Sequence, residues 1–217
     1  MNFEQARNNM IEQQIRTWDV LDQNVLNLMT RVRREDFIPE EYRLLAFADT
    51  SLPIGQGQVT MPPKVEARML QALDINPEDK ILEIGTGCAY VTALLAQAGQ
   101  HVISVDIFPE FTQAASIKLS RHAVKNVTLE TGDALKNLPD HGPYDVIAVT
   151  GSMPELTDGL QQQLKIMGRL FVIIGNSPVM EAWLITRTGA NEWSRESLFE
   201  TDLPPLIGAH QAPVFKL

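Results

Sequence analysis

Glu83, Gly85, Gly87 and Ala89 alternate through the stretch Asp79–Tyr90, DKILEIGTGCAY, where a short apolar run gives way to a helical pattern. Glycine at 85 and 87 lets the backbone turn sharply and lets a ligand approach where a Cβ would collide. Thr86 and Cys88 complete the turn, and the helix that follows aims its unpaired N–H groups and partial positive charge at whatever lies there. Further on, the apolar run His101–Asp106 ends in an acid, with Ile107 after it. A carboxylate in that place accepts hydrogen bonds from both hydroxyls of a ribose. A third run ends at Gly132-Asp133-Ala134, where the aspartate either accepts from a base or caps the turn. Together these residues suit recognition of a nucleoside-bearing cofactor.

Spacing decides which cofactor. The dinucleotide fingerprint calls for a small residue three positions after the second glycine, but Tyr90 stands there. That weakens a nicotinamide oxidoreductase without removing it. The pattern acid-x-Gly-x-Gly-x-Ala resembles that of methyltransferases using S-adenosylmethionine. The resemblance implies that N–H groups of the turn hold the methionine carboxylate, Asp106 the ribose and Asp133 the adenine amino group. Glu83 then orients the turn rather than touching the reacting atoms.

The elements around these residues follow from periodicity. Residues 3–18 carry Phe3, Ala6, Met10, Ile15 and Trp18 on one side and are expected to form a helix. Asp22 is a suitable N-cap for a second helix that stops before Pro39. Arg43–Ala67 is rich in breakers yet holds Leu44, Phe47, Leu52, Ile54 and Val59, so it is expected to be an ordered loop over the cofactor site. A helix follows at Lys64–Leu73. Strands are expected at Lys80–Ile84, His101–Asp106, Val127–Thr131, Tyr144–Thr150 and Arg169–Ile174, with helices between them at Pro109–Ala123 and Glu155–Leu164. Ala182–Thr186 and Trp193–Phe199 form a hairpin, and the last stretch, LPPLIGAHQAPVFKL, is apolar enough to pack. This is an α/β fold: a mostly parallel seven-stranded sheet with helices on both faces and an N-terminal helical extension. Residues 1–63 form that extension and the substrate loop, and 64–217 form the cofactor-binding core.

Composition narrows the function classes. The chain has 217 residues, 44% of them hydrophobic, and a net charge of -9. An acidic surface gives no general attraction to nucleic acid or anionic lipid, and the run Arg31–Arg34 is offset by Glu35 and Asp36. The single cysteine, Cys88, allows no internal disulfide, and the four histidines are scattered, so no metal is expected. The N-terminus lacks a signal-peptide layout and no apolar run approaches a membrane span, so a cytoplasmic enzyme is expected.

Sequence also bears on the acceptor. A carboxylate acceptor is already ionised at neutral pH, since its ordinary pKa is about 4, and it needs no general base. The lack of an obvious base dyad fits such an acceptor. Arg33–Pro63 with its LPIGQGQ (Leu52–Gln58), KILEIGTGCAY, GDAL (Gly132–Leu135), PYDVIAVTG (Pro143–Gly151), QLKIMGRLFVIIG (Gln163–Gly175) and LPPLIGA resemble the protein-L-isoaspartate O-methyltransferases over nearly the whole chain. The resemblance implies a class I Rossmann-like methyltransferase that esterifies the free carboxyl of isoaspartyl residues in damaged proteins, with Ile54, Gln58 and Val59 in the substrate loop. In that family LPIGxGQ usually continues Thr-Ile-Ser, with the serine beside the reacting carboxylate. Here the sequence is Val59-Thr60-Met61, so Thr60 and Met61 occupy the catalytic stretch and Met61 stands at the serine position. Cys88-Ala89 replaces the usual Ser-Gly, and Ile166-Met167 the usual Pro-Gly. Two other readings stay open: a methyltransferase of this fold with a different acceptor, and a cofactor-binding protein without turnover.

Overall fold

The computed structural model describes residues 2–209. Its centre is a seven-stranded sheet built from β3 (Lys80–Ile84), β4 (His101–Asp106), β5 (Val127–Thr131), β6 (Tyr144–Met153), β7 (Leu164–Asn176), β8 (Val179–Gly189) and β9 (Glu192–Thr201), in the order β5-β4-β3-β6-β7-β8-β9. The strands β3 to β7 pair in parallel, and β8 and β9 add antiparallel neighbours at one edge. Strand order reverses beside β3, which places a crevice at the carboxyl ends of β3, β4 and β6, the usual ligand position in such sheets.

Alternation along the central strands explains the two-faced core. Ile81, Val146, Ala148 and Phe171 enter one buried cluster, and Leu82, Ile84, Ile147, Val149, Leu170 and Val172 enter the other. The first cluster is continuous with the N-terminal segment. Met10, Ile15, Leu26 and Met29 pack in it with Leu94 and Leu95 of α4 (Tyr90–Ala98). The helices α3 (Pro63–Leu73) and α5 (Pro109–Arg121) both have proline in the first turn, where its missing N–H costs nothing.

Several boundaries differ from expectation for local reasons. The helix expected over 3–18 is α-helical only in α1 (Phe3–Met10). It widens to a π turn over Ile11–Ile15 and tightens to a 3-10 turn over Arg16–Trp18, ending at Asp19 in the left-handed region. The widened turn buries Ile11 and Ile15 beside Met10. Asp22 caps α2 (Gln23–Arg31) by accepting from the Asn24 N–H at 2.8 Å. A 3-10 segment, Glu40–Leu45, runs into the start of the expected loop, which holds a small hairpin of β1 (Pro53–Gly55) and β2 (Gln58–Val59). Gln56 and Gly57 at its tip both have positive φ, as a two-residue type I′ turn requires. The last helix, α6, is short, Asp158–Gln162. β7 begins at Leu164, ahead of the expected Arg169, because a register shift against β6 absorbs Lys165–Gly168. For the terminal stretch, Leu203–Ala209 packs against the sheet, while His210–Leu217 lies outside the described residues.

Candidate active site

The glycine turn follows the end of β3, which pairs directly with β6 in the sheet. Gly85 (φ 99°) and Gly87 (φ 50°) both take up the left-handed region that side chains avoid. A Cβ on Gly85 would overlap Thr150 Oγ1, and one on Gly87 would press on Ile54 Cδ1 at 3.1 Å. Thr150 fixes the turn from β6, donating to the carbonyls of Ile84 (3.0 Å) and Gly85 (2.6 Å). Gly85 N–H is held by the Val105 carbonyl at 2.8 Å. Lys118 of α5 ties the turn to the N-terminal segment, donating to the carbonyls of Cys88 (3.3 Å) and Phe37 (2.6 Å).

Asp106, at the end of β4, is 6% exposed and faces this turn. Its Oδ2 accepts from Gly87 N–H at 2.8 Å and its Oδ1 from Phe108 N–H at 3.0 Å. Burial raises its pKa, and the N–H groups of Gly87 and Phe108 oppose that rise. Asp133 uses Oδ1 to accept from Leu135 N–H at 3.1 Å, so it does cap its turn, while Oδ2 lies 3.1 Å from Lys136 Nζ. Both aspartates line one crevice of about 710 Å³, counting its open mouth. Gly85, Gly87, Ile107 and Ala134 also line it, and so do Ile54, Gln58 and Val59 of the hairpin.

A smaller cavity adjoins the crevice. Ile54, Val59, Gly85, Gly87 and Thr150 border both. Thr60, Met61, Glu66, Thr86 and Cys88 border only the smaller one. Thr60 and Met61 are 5% and 3% exposed, and the Thr60 hydroxyl engages Arg34, a side chain with no exposed surface. Arg34 and Glu66 form a buried ion pair at 3.1 Å. Burial raises the Glu66 pKa, and Arg34 acts against it.

Glu83 differs from the other residues expected to meet the cofactor. It has no exposed surface and lines neither cavity. Its Oε2 accepts from Thr92 Oγ1 (2.6 Å) and Ser104 Oγ (2.5 Å), and Ser104 Oγ lies 2.6 Å from Thr86 Oγ1. The carboxyl therefore braces the turn from below. Thr86 and Cys88 border the smaller cavity instead of the crevice. Among the described residues no group of three or more His, Cys, Asp or Glu side chains is arranged to hold a metal ion.

Sequence reasoning missed several wall residues. Phe108 and Phe111 line the crevice from the start of α5, and Leu203–Ile207 line it from the segment after β9. Leu206 N–H donates to the Ser152 carbonyl at 2.8 Å, and Ser152 N–H to the Pro204 carbonyl at 3.1 Å, so this segment runs alongside the end of β6. The motif LPPLIGA marked the segment, but no local periodicity connects it with β6. Arg34 was hidden in a run of basic residues that suggested a solvated face.

A family model for Protein-L-isoaspartate(D-aspartate) O-methyltransferase matches residues 5–210. A protein-L-isoaspartate O-methyltransferase of Koribacter versatilis is 37% identical over 206 residues, covering 95% of this chain and 92% of its own. Among solved structures, a protein-L-isoaspartate O-methyltransferase superposes with a TM-score of 0.81 at 23% identity, over 94% of this chain and 66% of that one. A Plasmodium falciparum protein assigned to the same enzymes, solved in complex with S-adenosyl-L-homocysteine, superposes with a TM-score of 0.79 at 20% identity, over 95% of this chain and 98% of that one. The chain belongs to the protein-L-isoaspartate(D-aspartate) O-methyltransferase family.

Proposed function

We propose that this protein is an S-adenosylmethionine-dependent carboxyl O-methyltransferase acting on isoaspartyl residues of proteins. The observation that carries the proposal is the pair of adjoining cavities with Ile54, Val59 and the donor turn as their common wall. One takes the donor and the other the acceptor. The crevice fits the donor: the glycine turn leaves room where a Cβ would intrude, and Asp106 and Asp133 present carboxylates at its wall. Asp106 would hold the ribose, Asp133 with Ala134 the adenine, and the turn Gly85–Ala89 the methionine end, with Ile107 against the sugar or base.

When bound, the cofactor held by Asp106, Asp133 and the turn Gly85–Ala89 would supply a methyl group on a sulfonium to an ionised acceptor oxygen. The protein's own residues bind and align the partners and keep bulk water out. The acceptor arrives ionised, so positioning provides the catalysis. Residues 1–63 are the helical extension and substrate loop, whose hairpin sets Ile54 and Val59 between the two cavities and Gln58 against the crevice, and 64–217 are the cofactor-binding core. A cytoplasmic setting belongs to this proposal, supported by the single cysteine. Among the described residues no helix is long and apolar enough to cross a membrane.

The test is transfer of labelled methyl from S-adenosylmethionine to an isoaspartyl peptide and to its aspartyl twin. The expected result is transfer to the isoaspartyl form in clear excess. Equal transfer to both, or none, overturns the proposal.

A further inference from the structure

The smaller cavity contains a hydroxyl whose hydrogen-bonding direction is set by its neighbours. Thr60 Oγ1 accepts from the Leu52 N–H at 3.1 Å and from Arg34 Nη2 at 3.2 Å. A hydroxyl has two lone pairs and one hydrogen. Both partners can only donate, and the two Arg34 Nη2 hydrogens are shared among Thr60, the Met61 carbonyl and Glu66, so towards both Thr60 is an acceptor and its own hydrogen is left to donate. Among the described residues no carbonyl or carboxylate accepts it. Met61, its neighbour in the wall, has a thioether and no donor.

Arg34 is held so that it keeps this arrangement. Its Nε donates to Glu66 Oε2 (3.1 Å), its Nη1 to the Ala46 carbonyl (2.9 Å) and its Nη2 to the Met61 carbonyl (2.9 Å) and Glu66 Oε1 (3.2 Å). Glu66 neutralises the guanidinium, so the charge of Arg34 does not capture an incoming carboxylate directly. That distinction matters for methyl transfer. A carboxylate locked in a full ion pair is stabilised most before reaction and least once its charge is being lost. A neutral hydroxyl orients the oxygen with a smaller ground-state penalty.

We infer that Thr60 donates a hydrogen bond to the acceptor carboxylate in the smaller cavity, with Arg34 as the positioning residue that makes Thr60 an obligatory donor. The inference rests on the carboxyl-methylation proposal and names the group that recognises its acceptor. It also means that the hydroxyl function of this site lies one residue before Met61, on a side chain anchored to the N-terminal segment.

The full-length protein and its Thr60→Val and Thr60→Ser variants are assayed for methyl transfer to the isoaspartyl peptide, and their affinity for S-adenosylhomocysteine is measured by calorimetry. Thr60→Val, isosteric but without a hydroxyl, is expected to lower kcat/KM roughly ten- to a hundredfold, the worth of a hydrogen bond to a charged group. Thr60→Ser is expected to keep most of the activity, and product affinity to stay at the wild-type level in both. Should valine disturb the fold, seen as lost product binding, Thr60→Ala takes its place in the same comparison. Wild-type kcat/KM in the variant without a hydroxyl overturns the inference and leaves the methyltransferase proposal standing. An equal loss in the serine variant also overturns it, because shape and not the hydroxyl would then matter. A wild-type protein that prefers no isoaspartyl peptide removes both.

Discussion

Glu83 sits beneath the donor turn against Thr92 and Ser104, and burial pushes its pKa up to about 8, with the nearby Asp106 adding to the rise. An unfolded glutamate titrates at about 4.3, so the folded protein holds this proton across a range where the unfolded chain has lost it. Glu83's contribution to stability is therefore fully present below the unfolded value and is lost as pH rises through the folded one. The slope for this single group is about 1.4 kcal/mol per pH unit between those limits. Glu83→Gln keeps an acceptor for Thr92 and Ser104 but cannot ionise. Chemical denaturation between pH 5 and pH 8 is expected to show a flatter stability profile for Glu83→Gln than for the wild type; parallel profiles would mean that Glu83 is ionised in the fold. The acid before the glycine turn was legible in sequence because its spacing is local. Its partners were not: Thr92 comes from the following helix and Ser104 from the neighbouring strand, and only the parallel pairing of β3 with β4 unites them.

At the scale of elements, β4 and β5 were legible to the residue because each is an apolar run ended by an acid or by Gly132-Asp133. The start of β7 was not. Its pairing with β6 shifts register between Tyr144↔Leu164 and Val146↔Arg169, and the surplus residues include Met167, held at φ 65° with 66% of its surface exposed. A side chain in the left-handed region is strained, and an exposed one gains little from packing in return. Met167→Gly is expected to raise stability by about 0.5 to 1 kcal/mol, the relieved strain less the added freedom of the unfolded chain. The denaturant midpoint measures it, and an unchanged or lower midpoint would show that the bulge holds no strain at this residue. The π turn in the first helix escaped prediction for a related reason. Five residues separate Met10 from Ile15, about 140° on a 3.6-residue helix, and the widened turn that also buries Ile11 removes this mismatch.

Across the whole molecule, a few buried polar links join the N-terminal segment to the sheet domain. Arg34 bonds to Ala46, to the Thr60-Met61 stretch and to Glu66 of α3, while Arg7 pairs with Glu35 inside the N-terminal segment. Removing one partner of such a pair strands the other charge in a dry interior. Arg34→Met is expected to cost about 3 to 5 kcal/mol in equilibrium unfolding, and Arg34→Met combined with Glu66→Leu to recover much of that loss. A small loss in the single variant would mean that water reaches Glu66. The fold class could be read from strand–helix alternation, and the donor half of the site from glycine spacing. The smaller cavity was legible in part: the loop motif gave Ile54, Val59, Thr60 and Met61, whereas the buried pair Arg34 and Glu66 comes from separate segments and resembled surface positions. The wall that Leu203–Ile207 gives the donor crevice comes from a segment that follows every strand of the sheet. A nascent chain still threaded in the ribosome with that segment unmade has its sheet but an unfinished crevice. The crevice is therefore complete only after Leu203–Ile207 has been made and laid along β6.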